Sequence, residues 1–245
     1  MNKICVVTVC RNALDALRQT VASIHDQKYP ELHYIVIDGG SSDGTPDFLK
    51  RQHHGINEWL SEPDKGIYDA MNKAVELCPI DSWVIFLNAG DVFASPEVLH
   101  SLNGSLSADV DFLVGDISMD GRNGSAVFRC KDRSALEMPG CHQAMLVRAS
   151  VLKTYRFNTS YKVGADYDFF LRATKFRRRL VFFDGVIAHI APEGFTSHNE
   201  PILQRDYVKL LSEHRGRIIA LLWLIRRRLS NIFRKVPAIF KSQPT

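Results

Sequence analysis

No Cys-x-x-Cys pair occurs in this chain, and its five cysteines stand apart at positions 5, 10, 78, 130 and 141. That spacing excludes a zinc ribbon, and an odd, scattered set argues against a secreted disulfide framework. Cys5 and Cys10 lie inside an apolar run and read as small core residues. Long apolar runs are also missing. A membrane span needs roughly 18 or more such residues in a row, whereas the longest late run, residues 218–225, has eight. The first apolar run is too short for a signal peptide and is followed by Arg11, so the body is expected to face a reducing cytoplasm. The glycine-rich segment at residues 38–45 contains neither GxGxxG nor GK[ST], which leaves a dinucleotide Rossmann site and a P-loop poorly supported. Repeats, low-complexity tracts and long linkers are absent as well.

What is present is an ordinary globular composition, 245 residues with 45% hydrophobic and 24% charged. That length is enough for one sizeable α/β domain. The formal net charge of +4 is unevenly placed. Between Lys209 and Lys241 there are nine Lys and Arg against one acid, Glu213, so that segment carries +8 and the rest of the chain −4. An acidic body is joined to a basic tail.

Residues 3–10, apolar and β-branched, read as a strand buried on both faces. Helical periodicity at 13–27, a second strand at 32–37, and a short helix at 45–51 with Pro46 in its first turn follow. A third strand at 56–60, a helix at 67–77 and a fourth strand at 82–87 complete four strand–helix alternations, the pattern of a mostly parallel, doubly wound sheet. Beyond residue 105 the rhythm changes. Short strands are expected at 110–117, 126–130, 142–147, 180–183 and 186–190, with helices at 165–175 and from 199 onward.

In an open parallel sheet, ligands bind outside the carboxyl ends of the strands. The second, third and fourth strands bring Asp38, Asp64 and Asp91 to that edge. One such acid alone would read as a cap or turn residue; three in register suit a site that bonds a base and ribose and holds a divalent cation.

The segments VTVCRNA, VIDGGSSDGT, SEPDKGIYDAMNKA and FLNAGD, in this order and spacing, resemble the nucleotide-sugar half of glycosyltransferase family 2, inverting enzymes with a GT-A fold. The likeness covers roughly residues 3–200 and points to bacterial enzymes of exopolysaccharide, colanic acid and O-antigen assembly. It implies a nucleotide-sugar donor, UDP- or GDP-linked, a divalent Mg²⁺ or Mn²⁺, and a carboxylate base. On that resemblance Thr8, Asn12, Asp38, Asp64, Lys65, Tyr68 and Asn72 are donor-binding, Asp91 is the metal ligand, His142 and Gln143 bind the acceptor, and Asp166 is the general base. Two departures stand out. Asn88, Ala89 and Gly90 replace acids in the metal motif, and Ala165 replaces the Glu that usually precedes the base. A first-turn acid complementing the helix dipole is the other reading of Asp166, and a locally satisfied strand-end histidine that of His142. Asp168 is expected to be structural.

The implied division is a GT-A domain over 1–205, with a nucleotide-sugar half at 1–105 and an acceptor half at 106–205, then a basic amphipathic helical tail at 206–245. Residues 218–233 set Trp and Phe beside arginines, as helices lying in a membrane interface do; a helix packed on the body with a solvated charged face is the competing reading. The expected location is therefore the cytoplasm, peripheral on the inner face of the cell membrane. Binding to the anionic surface through residues 209–241 would bring the enzyme to a glycan or polyprenyl-diphosphate-linked sugar. No nucleic-acid module accompanies the charge. Rival readings are a nucleotidyltransferase, for which the first strand offers only Arg11 as a basic diphosphate contact, and a catalytically impaired sugar-nucleotide-binding protein.

Overall fold

The computed structural model describes residues 1–51, 55–121, 124–130, 138–175, 178–191 and 200–235. The strands are β1 (Ile4–Cys10), β2 (Leu32–Asp38), β3 (Glu58–Ser61), β4 (Trp83–Phe86), β5 (Val92–Phe93), β6 (Phe112–Gly121), β7 (Gly124–Phe128), β8 (Met145–Arg148) and β9 (Leu180–Ile190). The helices are α1 (Leu14–His25), α2 (Thr45–Arg51), α3 (Ile67–Leu77), α4 (Val98–Asn103), α5 (Ala149–Tyr155), α6 (Ala165–Thr174), α7 (Glu200–Arg215) and α8 (Arg217–Lys235).

One sheet runs in the order β3-β2-β1-β4-β8-β6-β9-β5, with β7 paired to β6. The first four strands are parallel, as the strand–helix alternation predicts. The second half is mixed: β8 runs antiparallel to both β4 and β6, while β9 runs parallel to β6. The two strands expected at 180–183 and 186–190 are a single β9, and a register shift in its pairing with β6 between Val114 and Ile117 explains the apparent break. The strand expected from residue 142 begins instead as a 3-10 turn, His142–Ala144, and becomes β8 only at Met145.

All seven residues of β1 are buried, because both faces of the sheet are covered. Its side chains alternate. Cys5, Val7 and Val9 join a core with α3, α5 and α6, while Ile4, Val6 and Cys10 join one with α1 and α4. The expected core placement of Cys5 and Cys10 is observed. On the α6 side that core extends into the last helices, where Leu210, Leu211, Ala220 and Trp223 are buried. The inner face of the tail therefore packs on the body. Residues 236–245, the end of the expected basic tail, lie outside the described residues.

Candidate active site

The carboxyl ends of β1 and β4 open into a cavity of about 810 Å³, closed on its far side by the loop before α6 and by α7 and α8. Its volume is that of a site for a small-molecule ligand. Asp64, Tyr68, Asp91, His142, Gln143 and Asp166 all line it.

The NAGD segment after β4 forms a tight turn, with Asp91 N donating to the Asn88 carbonyl at 3.0 Å. Thr20 of α1 clamps that turn. Its hydroxyl donates to the Asp91 carbonyl at 2.8 Å and accepts from Gly90 N at 2.9 Å. Asp91 is thereby held almost fully buried, its Oδ1 accepting from Ala191 N and its Oδ2 from Gln143 Nε2, each at 3.1 Å. Burial pushes its carboxyl above the ordinary value, against the lowering effect of those donors and of His142.

Asp166 sits in the first turn of α6, entered through Gly164 at φ 93°, a left-handed conformation that glycine adopts without penalty. Its Oδ1 accepts from Tyr167 N at 2.9 Å and from the Tyr68 hydroxyl at 3.4 Å; that hydroxyl in turn accepts from Gly164 N at 3.0 Å. Burial keeps the Tyr68 phenol well above its usual range, so it remains a donor. The Asp166 Oδ2 lies 3.4 Å from His142 Nδ1. Burial opposes its ionisation, but the hydrogen bond from His142, with the backbone N–H of Tyr167, outweighs that and holds the carboxyl below its ordinary value.

The other ring nitrogen, His142 Nε2, lies 3.0 Å from Asn88 Nδ2. An amide nitrogen only donates, so Nε2 accepts, the ring proton sits on Nδ1, and it points at Asp166. This leaves the buried Asn88 Oδ1 without a partner. Adjacent residues of one 3-10 turn thus hold two different carboxylates, His142 on Asp166 and Gln143 on Asp91.

The remaining predicted site residues lie elsewhere. Thr8 is fully buried, donating to the Leu87 carbonyl at 2.8 Å and accepting from the Tyr34 hydroxyl. Asp38 is fully buried beneath the loop after β2, where it accepts from Ser41 N, the Ser41 hydroxyl and the Ser61 hydroxyl. Asn12 ties the loop after β1 to that loop by accepting from Ser42 N at 2.8 Å. The Asn72 amide makes two bonds to the Phe157 backbone, at 2.8 and 2.9 Å. Lys65 donates its backbone N–H to Asp69. Asp64 does reach the cavity, with its Oδ1 accepting from Gly66 N at 2.9 Å. The expected structural role of Asp168 is visible in its bonds to Arg172 and His214.

Sequence reasoning missed Thr20, Asp206, Trp223 and Arg227. Asp206 of α7 accepts from the backbone N–H groups of Lys162 and Val163 at 2.9 and 3.0 Å, fixing the approach to Gly164. Trp223 and Arg227 of α8 line the cavity directly. The sequence places Trp223 and Arg227 only on a basic, membrane-facing helix, whereas the structure turns both inward; what they, Thr20 and Asp206 touch is not legible because the partners lie far away along the chain.

Hard oxygen donors suit Mg²⁺ or Mn²⁺, which proteins often hold through one or two carboxylates completed by substrate phosphates and water. Asp91 and the orphaned Asn88 Oδ1, three residues apart in one turn, fit that chemistry. Among the described residues no group of three or more His, Cys, Asp or Glu could hold an ion alone.

The family model for glycosyl transferase family 2 matches residues 5–177. An uncharacterized glycosyltransferase of Mycobacterium tuberculosis (strain H37Rv) is 33% identical over 209 residues, covering 80% of this chain and 78% of that one. A PGL/p-HBAD biosynthesis glycosyltransferase of Mycobacterium bovis (strain BCG) is 31% identical over 170 residues, 66% of this chain and 65% of its own. Staphylococcus aureus TarS 1-349 in complex with UDP-GlcNAc superposes with a TM-score of 0.70 at 17% identity, over 97% of this chain and 77% of that one. The mannosyltransferase PcManGT of Pyrobaculum calidifontis, in complex with GDP-Man and Mn²⁺, gives 0.68 at 17% identity over 86% and 63%. These likenesses show the GT-A fold.

Proposed function

The chain belongs to glycosyltransferase family 2, and from that premise we propose that it transfers a sugar, with inversion, from a UDP- or GDP-sugar to a glycan acceptor of a bacterial cell-surface polysaccharide. The carrying observation is the pair of carboxylates held by one turn. Asp166, bonded to His142, stays ionised, while Asp91, bonded to Gln143, is raised by burial. Environments that push two acids apart assign them different tasks.

Inversion requires a base on the face of the sugar opposite the departing diphosphate. Asp166 takes the proton of the acceptor hydroxyl as that oxygen attacks the anomeric carbon. His142 Nδ1–H and Tyr68 O–H aim the carboxylate and keep it charged. Asp91, with Asn88 Oδ1, would hold Mg²⁺ or Mn²⁺, which would supply positive charge to the donor's diphosphate. Asp64 contacts base or ribose at the β1–β3 end. Thr8, Asn12, Asp38, Lys65 and Asn72 shape the floor and loops of the donor side. Support for the donor comes from the UDP-GlcNAc and GDP-Man complexes of proteins with this fold. For a surface glycan it comes from relatives named for PGL/p-HBAD and teichuronic acid biosynthesis.

The acceptor we propose is lipid-linked, met at the cytoplasmic face of the membrane. No described helix is long and apolar enough to cross a membrane, but α8 exposes Ile218, Leu221, Leu222 and Ile225 beside arginines. Each Lys or Arg near an anionic leaflet contributes about 1 kcal/mol to binding.

Asp166→Asn should lower transfer by about 10²–10⁴-fold while leaving thermal stabilisation by UDP- and GDP-sugars with Mn²⁺ in place. Undiminished turnover removes Asp166 as the base. A wild-type protein that no UDP- or GDP-sugar stabilises sinks the whole reading.

A further inference from the structure

α8 has three faces. At roughly 100° per residue, Ile218, Leu221, Leu222 and Ile225 share one side, and all are exposed. Arg217 and Arg226, also exposed, flank that stripe on its two edges. Ala220 and Trp223 lie on the opposite side, buried against the body, and Arg227 continues that inner side one turn on. There it lines the cavity, its guanidinium 5.3 Å from the centroid of the Trp223 ring.

Ring contacts fix where in the cavity Arg227 stands. Trp223 stacks on Tyr207 with centroids 5.3 Å apart, and Tyr207 lies 5.4 Å from Tyr167, the neighbour of Asp166. A Cβ placed on Gly164, two residues before Asp166, would meet the Tyr207 ring at 3.2 Å. Gly164, Tyr207, Trp223 and Arg227 all line the cavity, so an aromatic wall leads from the entrance of α6, two residues before the base, to Arg227. Arg11, which also lines the cavity, belongs to the opposite end, where it and Asp64 both approach Gly39 at the ends of β1 and β2. With Asp166 as the base, its side of the cavity receives the acceptor, and the Arg11 side receives the nucleotide.

We propose that Arg227 binds the phosphate or diphosphate of a lipid-linked acceptor, and that α8 presents this acceptor by lying in the membrane surface on its outer stripe. The proposal rests on the reading of Asp166 as base. It names what the acceptor must carry: an apolar anchor in the lipid beneath the stripe, an anion at Arg227 and a sugar hydroxyl at Asp166. A guanidinium suits this task because it is always charged and grips phosphate oxygens through paired N–H donors. Trp223 holds it in place from its buried seat.

The test uses the full chain and phosphatidylcholine vesicles carrying either polyprenyl diphosphate or a charge-matched amount of phosphatidylglycerol. Wild type should prefer the diphosphate vesicles by about tenfold or more, the worth of one charged hydrogen-bonding contact. Arg227→Gln should abolish that preference, and Arg227→Lys should restore part of it. Both should remain thermally stabilised by UDP or GDP with Mn²⁺, which also reports that they fold. Ile218→Ser with Leu222→Ser should weaken binding to both vesicle types. An unchanged preference in Arg227→Gln overturns the proposal, as does a wild type with none. Loss of nucleotide stabilisation in Arg227→Gln overturns it too, since the arginine then serves the donor's diphosphate. Failure of wild type to be stabilised by any nucleotide would instead condemn the assignment of the site itself.

Discussion

Asp166 and Asp91 differ in the company each keeps, and that company makes one measurable prediction. Burial alone would raise Asp166; His142 reverses the sign. In His142→Ala the desolvation is opposed only by the backbone N–H of Tyr167 and the Tyr68 hydroxyl, so the pKa of the base rises and the acid limb of the pH–kcat profile should move to higher pH. A limb that stays in place would show that His142 does not govern the charge of the base. Asp38 offers a second test. In its buried setting it accepts from Ser41 N, the Ser41 and Ser61 hydroxyls and the Cys10 thiol, and Asp38→Asn turns an NH₂ toward donors. A loss of about 1–3 kcal/mol in denaturant unfolding is expected. A stable variant with weakened nucleotide affinity would instead place Asp38 on the base, as the family resemblance implies. The type of residue was legible from the sequence at all these positions. Which group each one touches was not, because a carboxylate at a strand end accepts equally well from a ligand and from a serine.

At the scale of elements, the entrance to α6 matters most. Gly164 takes a left-handed backbone, and a side chain there would also press on Tyr207 at 3.2 Å. Gly164→Ala should cost about 1–2 kcal/mol in backbone strain alone and swing Asp166 out of line. The expected result is a kcat loss greater than the loss of nucleotide affinity, read from steady-state kinetics beside a thermal-shift titration. The parallel β1–β4 core was legible because strands covered on both faces are apolar throughout. The second half was harder to read, since β9 changes register against β6 within a single strand. Likewise, the 3-10 turn holding His142 and Gln143 carries no periodicity long enough to detect.

For the whole molecule, the division of charge into an acidic body and a basic tail has a structural counterpart that the sum of +4 conceals. The tail is not a detachable anchor. Asp206, Leu210, Leu211 and Trp223 are buried in the body, so a chain ending at residue 205 should lose stability as well as any vesicle binding. Its thermal midpoint should fall by several degrees or cooperative unfolding should vanish; an unchanged midpoint would show that α7 and α8 contribute nothing to the core. Substitution of the exposed stripe is the cleaner probe of membrane attachment, since those side chains leave the core intact.

Sequence alone determined the α/β class, the parallel first half, the family and the acids gathered at the strand ends, because burial periodicity and unbroken motifs are local properties of the chain. Only the tertiary structure decided which acids face the cavity, that one short turn holds both of them, and that a tail helix turns Arg227 inward and an apolar stripe outward. Those are contacts between residues tens to more than a hundred positions apart, and packing chooses them after the local elements have formed.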